Sequence, residues 1–300
     1  DDCNDLSQIY CSDANESVAS GLTVGETYRI RVYSFTANEL QNLTFDICIF
    51  TVPPAITTDT ESYTVSELVT DVLIDSECSQ AFNVTYSTGS DFGSTNGIGY
   101  FEANGSSWPF ESGLIMTSGD VINAVGPETG VLGDGTYDWP GDADLESVIP
   151  GLNAGDTNNA SILEFDFVPS SNVAAFNFVF ASDEYLQWIG SIFNDVFAFF
   201  VSGPGITGPY SSPAGFPGGS ANVAVVPGTN TPITISTIHP TSNAAFYIQN
   251  TGSSHSMNGF TVPIPVELSV QCGETYHFKY AIADCSDTVS YTHLTLPTKA

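Results

Sequence analysis

The sequence predicts an all-β protein: an antiparallel β-sandwich or jelly-roll-like main domain, with one short helix near its start and a partial β domain ahead of it. Three observations predict this. The run LEFDFVP (163–169) alternates, with Leu163, Phe165 and Phe167 on one side and Glu164 and Asp166 on the other. About ten such short runs follow one another, separated by Gly, Pro and Asn turn signals. No alternation of strands with helical patterns appears, so a doubly wound sheet is not expected.

Residues 1–52 read as the end of a β-sandwich domain. GLTVGETYRIRVYSF (21–35) places Tyr28, Ile30 and Val32 on one face, and LTFDICIF (43–50) is suited to pair with it. Pro53-Pro54 and the polar run after it read as a linker over 53–61. YTVSELVTDVLI (63–74) is the one helical stretch: Thr64 and Glu67 form a capping box, Tyr63 and Leu68 a hydrophobic staple, and Leu68, Val69, Val72 and Leu73 an apolar stripe.

Strands then run to the end of the chain. GLIMTSG (113–119), AAFNFVFAS (174–182), ANVAVVPG, TPITIST, AAFYIQN, VPIPVELSV and ETYHFKYAIAD are the further candidates. DVFAFFVSG (195–203) is apolar at nearly every position, as expected of a strand covered on both faces.

Charge narrows the function. Lys and Arg number 4 against 34 Asp and Glu, a net charge of −30. Such a surface repels phosphate backbones and anionic lipids, which excludes nucleic acid and polybasic membrane anchoring. It suits a soluble exterior protein and attracts cations. No apolar run is long enough to cross a membrane as a helix. Six cysteines at 3, 11, 48, 78, 272 and 285 form no CxxC pair. Their scatter fits disulfides in an oxidising compartment, with connectivity open and buried thiols the alternative. Sequons begin at Asn15, Asn42, Asn83, Asn104 and Asn159, in keeping with exposed loops.

Longer blocks carry a family resemblance. YTVSELVTDVLIDSEC, SGLIMTSGDVINAVGP, WPGDADLE, FNFVFASDEY, FNDVFAFFVSGPGI, NVAVVPGT and CGETYHFKYAIAD occur in order over about 62–287. In these the chain resembles the choice-of-anchor L domain, and residues 1–52 are similar to the end of a fibronectin-III-like or pre-peptidase C-terminal-like domain. The resemblance implies a module of large secreted, cell-surface proteins, mainly of Bacteroidota and of the gliding and type IX secretion kind. It implies no established activity. After Asp287 the chain departs from the family pattern: TVSYTHLTLPTKA resembles a translated sequencing adapter, so 288–300 reads as a non-native tail. A missing last strand and an unpaired sheet edge are the expectation.

Two acidic segments are the candidate metal sites. Asp134, Asp138, Asp142, Asp144 and Glu146 crowd a Gly-rich loop, and hard oxygen ligands in a flexible loop suit Ca2+. The EF-hand order is absent, and a solvated loop is the alternative. Asp183, Glu184, Asn194 and Asp195 flank two buried strands, and converging carboxylates need a cation or hydrogen-bond donors. Turn capping by Asp and Asn is the alternative there. Tyr185 and Trp188 between them offer a flat surface for a sugar.

Catalytic patterns are missing. No HExxH or GxSxG occurs, and GPGITG (203–208) runs into prolines where a phosphate-binding helix must begin. His277 alternates outward on a strand, His239 precedes Pro240, His255 sits in a polar loop and His293 lies in the tail. The expectation is a non-enzymatic, secreted or cell-surface module for adhesion or glycan or partner binding, with Ca2+ stiffening its loops. A polysaccharide-active exoenzyme and a structural spacer are the alternatives.

Overall fold

The computed structural model describes residues 26–32, 47, 55–74, 79–126, 132–251, 255–286 and 292–297. The chain divides into two compact units, Asp1–Val52 and Pro53–Ala300. In the first, the described residues 26–32 and 47 are exposed and lie in no regular element. The strands expected at 21–35 and 43–50 fall largely outside the described residues, as do Cys3, Cys11, Cys48 and Cys78.

The second unit is two antiparallel sheets with short helical turns. Its strands are β1 (Thr57–Asp59), β2 (Gln80–Ser87), β3 (Ile98–Glu102), β4 (Ser112–Thr117), β5 (Thr157–Val168), β6 (Val173–Ser182), β7 (Val196–Ser202), β8 (Ala221–Asn222), β9 (Tyr247–Gln249), β10 (Gly259–Thr261), β11 (Ile264–Ser269), β12 (Tyr276–Cys285) and β13 (Thr292–Pro297). One sheet has the order β1-β3-β4-β13-β6-β10-β9, with β11 also paired to β6. The other has the order β2-β5-β12-β7-β8. The expected sandwich is the observed fold.

Period-two alternation decides what each strand covers. Phe165, Phe178, Phe197, Phe199, Phe278, Tyr280 and Leu294 meet between the sheets. Their rings pack edge-on and tilted, as Phe178 and Phe199 do at 4.9 Å between centroids. Each sheet is also covered on its outer face. Ile115, Val179, Ala181, Trp108 and Phe260 form one outer cluster. Ala160, Val196, Ala198, Phe200, Ala281, Leu145 and Val148 form the other. That double cover explains β7, whose seven residues are all buried.

The helix expected at 63–74 is present as α1 (Val65–Glu67), continued by π-helical turns over Leu68–Ile74. Its capping box is complete: Thr64 N donates to Glu67 Oε2 at 2.8 Å, and Glu67 N donates to Thr64 Oγ1 at 3.3 Å. Leu68, Val69, Val72 and Leu73 are buried in the core between the sheets. Loss of the cap through Thr64→Ala costs about 1 kcal/mol.

Four expectations change. The presumed linker is part of the fold, since Ile56 is fully buried and Thr57–Asp59 pairs with β3. TPITIST forms no strand: Ile233 and Ile235 are buried, but the segment carries only the isolated bridge from Val225 to Pro232. The expected open edge is absent, because Thr292–Pro297 lies between β4 and β6 and pairs with both. Backbone pairing demands little of side chains, and the alternation of THLTLP meets what a covered strand asks. Asn159 is no exposed sequon: it is fully buried and donates to Thr136 O at 2.7 Å. Asn83, Asn104 and Asn159 all have positive φ (52°, 50° and 55°), which Asn tolerates better than other non-glycine residues.

Candidate functional site

The acidic loop is bound to the outer face of the five-stranded sheet. Trp139, fully buried, anchors it by donating from Nε1 to Ala160 O at 2.9 Å. The short helix α2 (Ala143–Glu146) follows, capped by Asp142 Oδ1, which accepts from Asp144 N and Leu145 N at 3.1 Å each. Asp142 Oδ2 also accepts from Lys279 Nζ at 2.6 Å, and Asp144 Oδ2 from the same ammonium at 2.8 Å. Asp144 holds a second segment as well, accepting from Ser211 N at 3.0 Å and Ser211 Oγ at 2.6 Å. Glu146 turns away to accept from Gly155 N at 2.7 Å and Thr157 Oγ1 at 3.2 Å. Asp134 accepts from Asn123 Nδ2 at 2.5 Å, and Asp138 is exposed. Asp142 and Asp144 thus share one ammonium, while Glu146 and Asp134 take other partners, so the five carboxylates do not gather into one centre.

Beside Lys279 on β12, His277 bridges two carboxylates of β5: Nε2 is 3.0 Å from Glu164 Oε2, and Nδ1 is 2.9 Å from Asp166 Oδ1. The ring of Phe216 lies 5.8 Å from the imidazole. Burial opposes the charge on His277, but Glu164 and Asp166 outweigh it and raise the imidazole pKa. Burial likewise opposes the charge on Lys279, and Asp142 and Asp144 outweigh it. The bond from His277 holds Glu164 below the usual carboxylate range. Glu164, Asp166 and His277, expected on outward faces by alternation, pair with one another there beside the Lys279 pairs.

The second segment closes one end of the sandwich. Asp183, Glu184 and Asp195 are fully buried, and so is Asp284 on β12. Backbone and hydroxyl donors meet Asp183, Glu184 and Asp195. Asp183 Oδ2 accepts from Leu132 N at 2.8 Å, which joins this segment to the start of the acidic loop. Glu184 Oε2 accepts from Asp195 N at 3.4 Å. Asp195 accepts from Cys285 N at 3.1 Å and Thr292 Oγ1 at 2.5 Å. Asn194 is half-buried, with an Oδ1 that is buried and has no hydrogen-bond partner among the described residues.

Two ligand candidates move inward. Tyr185 is 2% exposed, packed at 5.0 Å on Tyr247 and at 6.2 Å on Phe180. Trp188 is half-buried against the core and packs at 5.2 Å on Phe193. Leu186 and Ile192 are the large apolar side chains exposed on that loop. His255 is buried too, packed at 4.8 Å on Trp108 and at 5.0 Å on Phe260. Cys272 is exposed with a free thiol, and Cys285 is buried. Among the described residues no three His, Cys, Asp or Glu side chains form a group able to hold a metal ion.

Open grooves lie at the β1–β3 edge, where no sequence motif points. One, of about 780 Å3, is lined by residues 57–63 with Tyr100, Glu102 and Ile122. A second, of about 580 Å3, adjoins it through Glu102 and runs past Asn104 and Ser106 to Glu111. The walls of the larger groove come from segments some forty residues apart, which only strand pairing unites, while the second is lined by the single stretch 102–112.

The family model of the choice-of-anchor L domain matches residues 56–295. The chain belongs to the choice-of-anchor L domain family. The match spans both sheets and includes β1 and most of β13, wider than the resemblance over 62–287. No curated protein and no solved structure matches the chain. Choice-of-anchor L membership makes this a surface-associated module. No helix among the described residues is long and apolar enough to cross a membrane.

Proposed function

We propose that this choice-of-anchor L domain is a non-catalytic binding module of a secreted surface protein, acting in adhesion by holding a glycan or a protein partner. One observation carries the reading: the adjoining grooves along the β1–β3 edge form an open, polar, extended surface on the double sheet. A binder needs such a surface and no more. The acidic residues that would serve catalysis are already engaged, Glu164 and Asp166 with His277 and Asp142 and Asp144 with Lys279. The test is retention of the purified protein on glycan arrays and on intact cells, with reducing-sugar release measured alongside. Retention without sugar release supports a binder. Sugar release abolished by Glu164→Gln and Asp166→Asn together turns the reading to an exoenzyme, and absence of both leaves a spacer.

Calcium is a second element of this proposal, favoured by Asn194 Oδ1, buried without a partner next to Asp195. Against it stand the donors that already meet Asp183, Glu184 and Asp195. A metal bound only by the native state raises the melting temperature by mass action. A calcium-dependent rise reversed by EDTA and abolished by Asp195→Asn supports it, and coincident melting curves remove calcium from the account.

A further inference from the structure

The larger groove has a chemistry that selects its guest. The β1–β3 register sets Asp59 opposite Tyr100 and Thr57 opposite Glu102. Residues two apart share a face, so Tyr100 and Glu102 stand side by side with Thr57 and Asp59 across from them. Tyr63 lies against Tyr100, ring centroids 5.0 Å apart and planes tilted by 50°. Both rings are half-buried, which fixes them while leaving part of each reachable. Asp59 is tied down by Glu61 N at 2.6 Å, Ser62 N at 3.0 Å and the Ser62 hydroxyl. Glu61 and Glu102 are exposed on either side.

Three carboxylates therefore surround a pair of aromatic rings, and no Lys, Arg or His lines the groove. Lys279, the one Lys or Arg among the described residues of this unit, is bound to Asp142 and Asp144. The side-chain N–H groups at the groove end are also committed: Asn104 Nδ2 donates to Thr57 Oγ1 at 2.8 Å. Hydroxyls of Thr58, Thr60, Tyr63 and Tyr100 also line the groove and both donate and accept, so hydrogen bonding alone does not select the guest. The carboxylates do, since a neutral sugar leaves their charge unanswered. An ammonium or guanidinium group donates only, and it also gains from a ring face.

We propose that this groove receives the Lys or Arg side chain of an extended segment of a partner protein, seated between Tyr63, Tyr100, Glu61 and Glu102. The second groove, which continues past Glu102 to Glu111, takes the next basic residue of that segment. This rests on the reading of the unit as a binding module and names its guest.

Fluorescence anisotropy with labelled hexalysine tests it, with hexaglutamine and cellohexaose as uncharged probes. Tyr100→Leu keeps the net charge and removes a ring, and weakens hexalysine binding about fivefold. Glu61→Gln with Glu102→Gln weakens it about tenfold, while Asp138→Asn, an exposed acid elsewhere, changes it less than about twofold. Tyr63→Leu serves as the second ring variant if Tyr100→Leu does not fold. Equal losses from Asp138→Asn and from the groove acids, or ring variants without effect, overturn the proposal in favour of diffuse attraction to a polyanion. Absence of hexalysine binding, or binding of cellohexaose in its place, overturns it as well. Groove-dependent hexalysine binding by a protein that is retained on no cell or array would fail the adhesive reading and leave this one standing.

Discussion

Lys279 Nζ lies 2.6 Å from Asp142 Oδ2, and that contact fastens the acidic loop to β12. Both side chains are largely buried, at 15% and 11% exposure. Asp144 completes the pairing at 2.8 Å, and the ring of Phe200 lies 5.6 Å from the ammonium. Removing the cation leaves two carboxylates facing each other in a partly dry place. Lys279→Met is expected to destabilise the unit by about 3 kcal/mol, measured by urea unfolding. Lys279→Met with Asp142→Asn and Asp144→Asn should recover part of that loss, because the stranded charges are gone.

His277 makes stability fall at high pH. Its folded pKa lies above the ordinary 6.5, so its contribution is complete below 6.5 and is lost as pH rises through the raised value. Glu164 acts the other way: its folded pKa is lowered from 4.5, so its contribution is present above 4.5 and is lost as pH falls through the lowered value. His277→Gln should flatten the alkaline side of a melting profile and leave the slope between pH 5 and pH 6 unchanged, within the range set by these shifts.

His255 governs the acid side. Burial against Trp108 and Phe260 lowers its pKa from 6.5 to about 4. The unfolded chain takes up a proton below 6.5 that the native state refuses until about 4, so stability is lost as pH falls through that window. The slope is about 1.4 kcal/mol per pH unit. Burial also lowers the pKa of His293 on β13, and the nearby His255 adds to it. Chemical denaturation at pH 7.5 and pH 5 should show the loss, and His255→Gln should reduce it.

Gly113 tests the seat of β13. A Cβ built at this position falls 1.8 Å from Leu296 O, a backbone atom with no rotamer to yield. Gly113→Ala is therefore expected to cost about 3 kcal/mol and to loosen β13 first. Hydrogen exchange should show faster loss of protection at 292–297 than at β5 and β12.

Thr292 is the hydroxyl that answers a fully buried Asp195. Thr292→Val conserves shape and removes that donor, so it should cost about 2 kcal/mol. Asp195→Asn in the Thr292→Val background should cost less than the sum of the two single changes, since both act on one contact.

Much of the fold was legible because strands announce themselves by period two. Leu163, Phe165 and Phe167 face the core and Glu164 and Asp166 face out, as the alternation requires. The capping box at Thr64 and Glu67 was legible for a similar local reason. TPITIST alternates as well and yet makes no strand, since a period fixes only which side chains are buried and not whether a neighbouring backbone is free to pair. Tyr185 read as a ligand platform because it follows two acids, but the turn after β6 swings it inward onto Tyr247.

The sequence alone determined the sandwich, the family and the anionic character, all properties of local pattern and composition. The tertiary structure decided which acids meet distant donors, because those pairs join residues about ten to a hundred and forty apart, as Glu184 with Asp195 and Asp142 with Lys279 do. It also decided that the candidate surface is the β1–β3 edge. Groove walls are made by strand pairing, and the register that sets Asp59 beside Tyr100 is a property of two segments together and of neither alone.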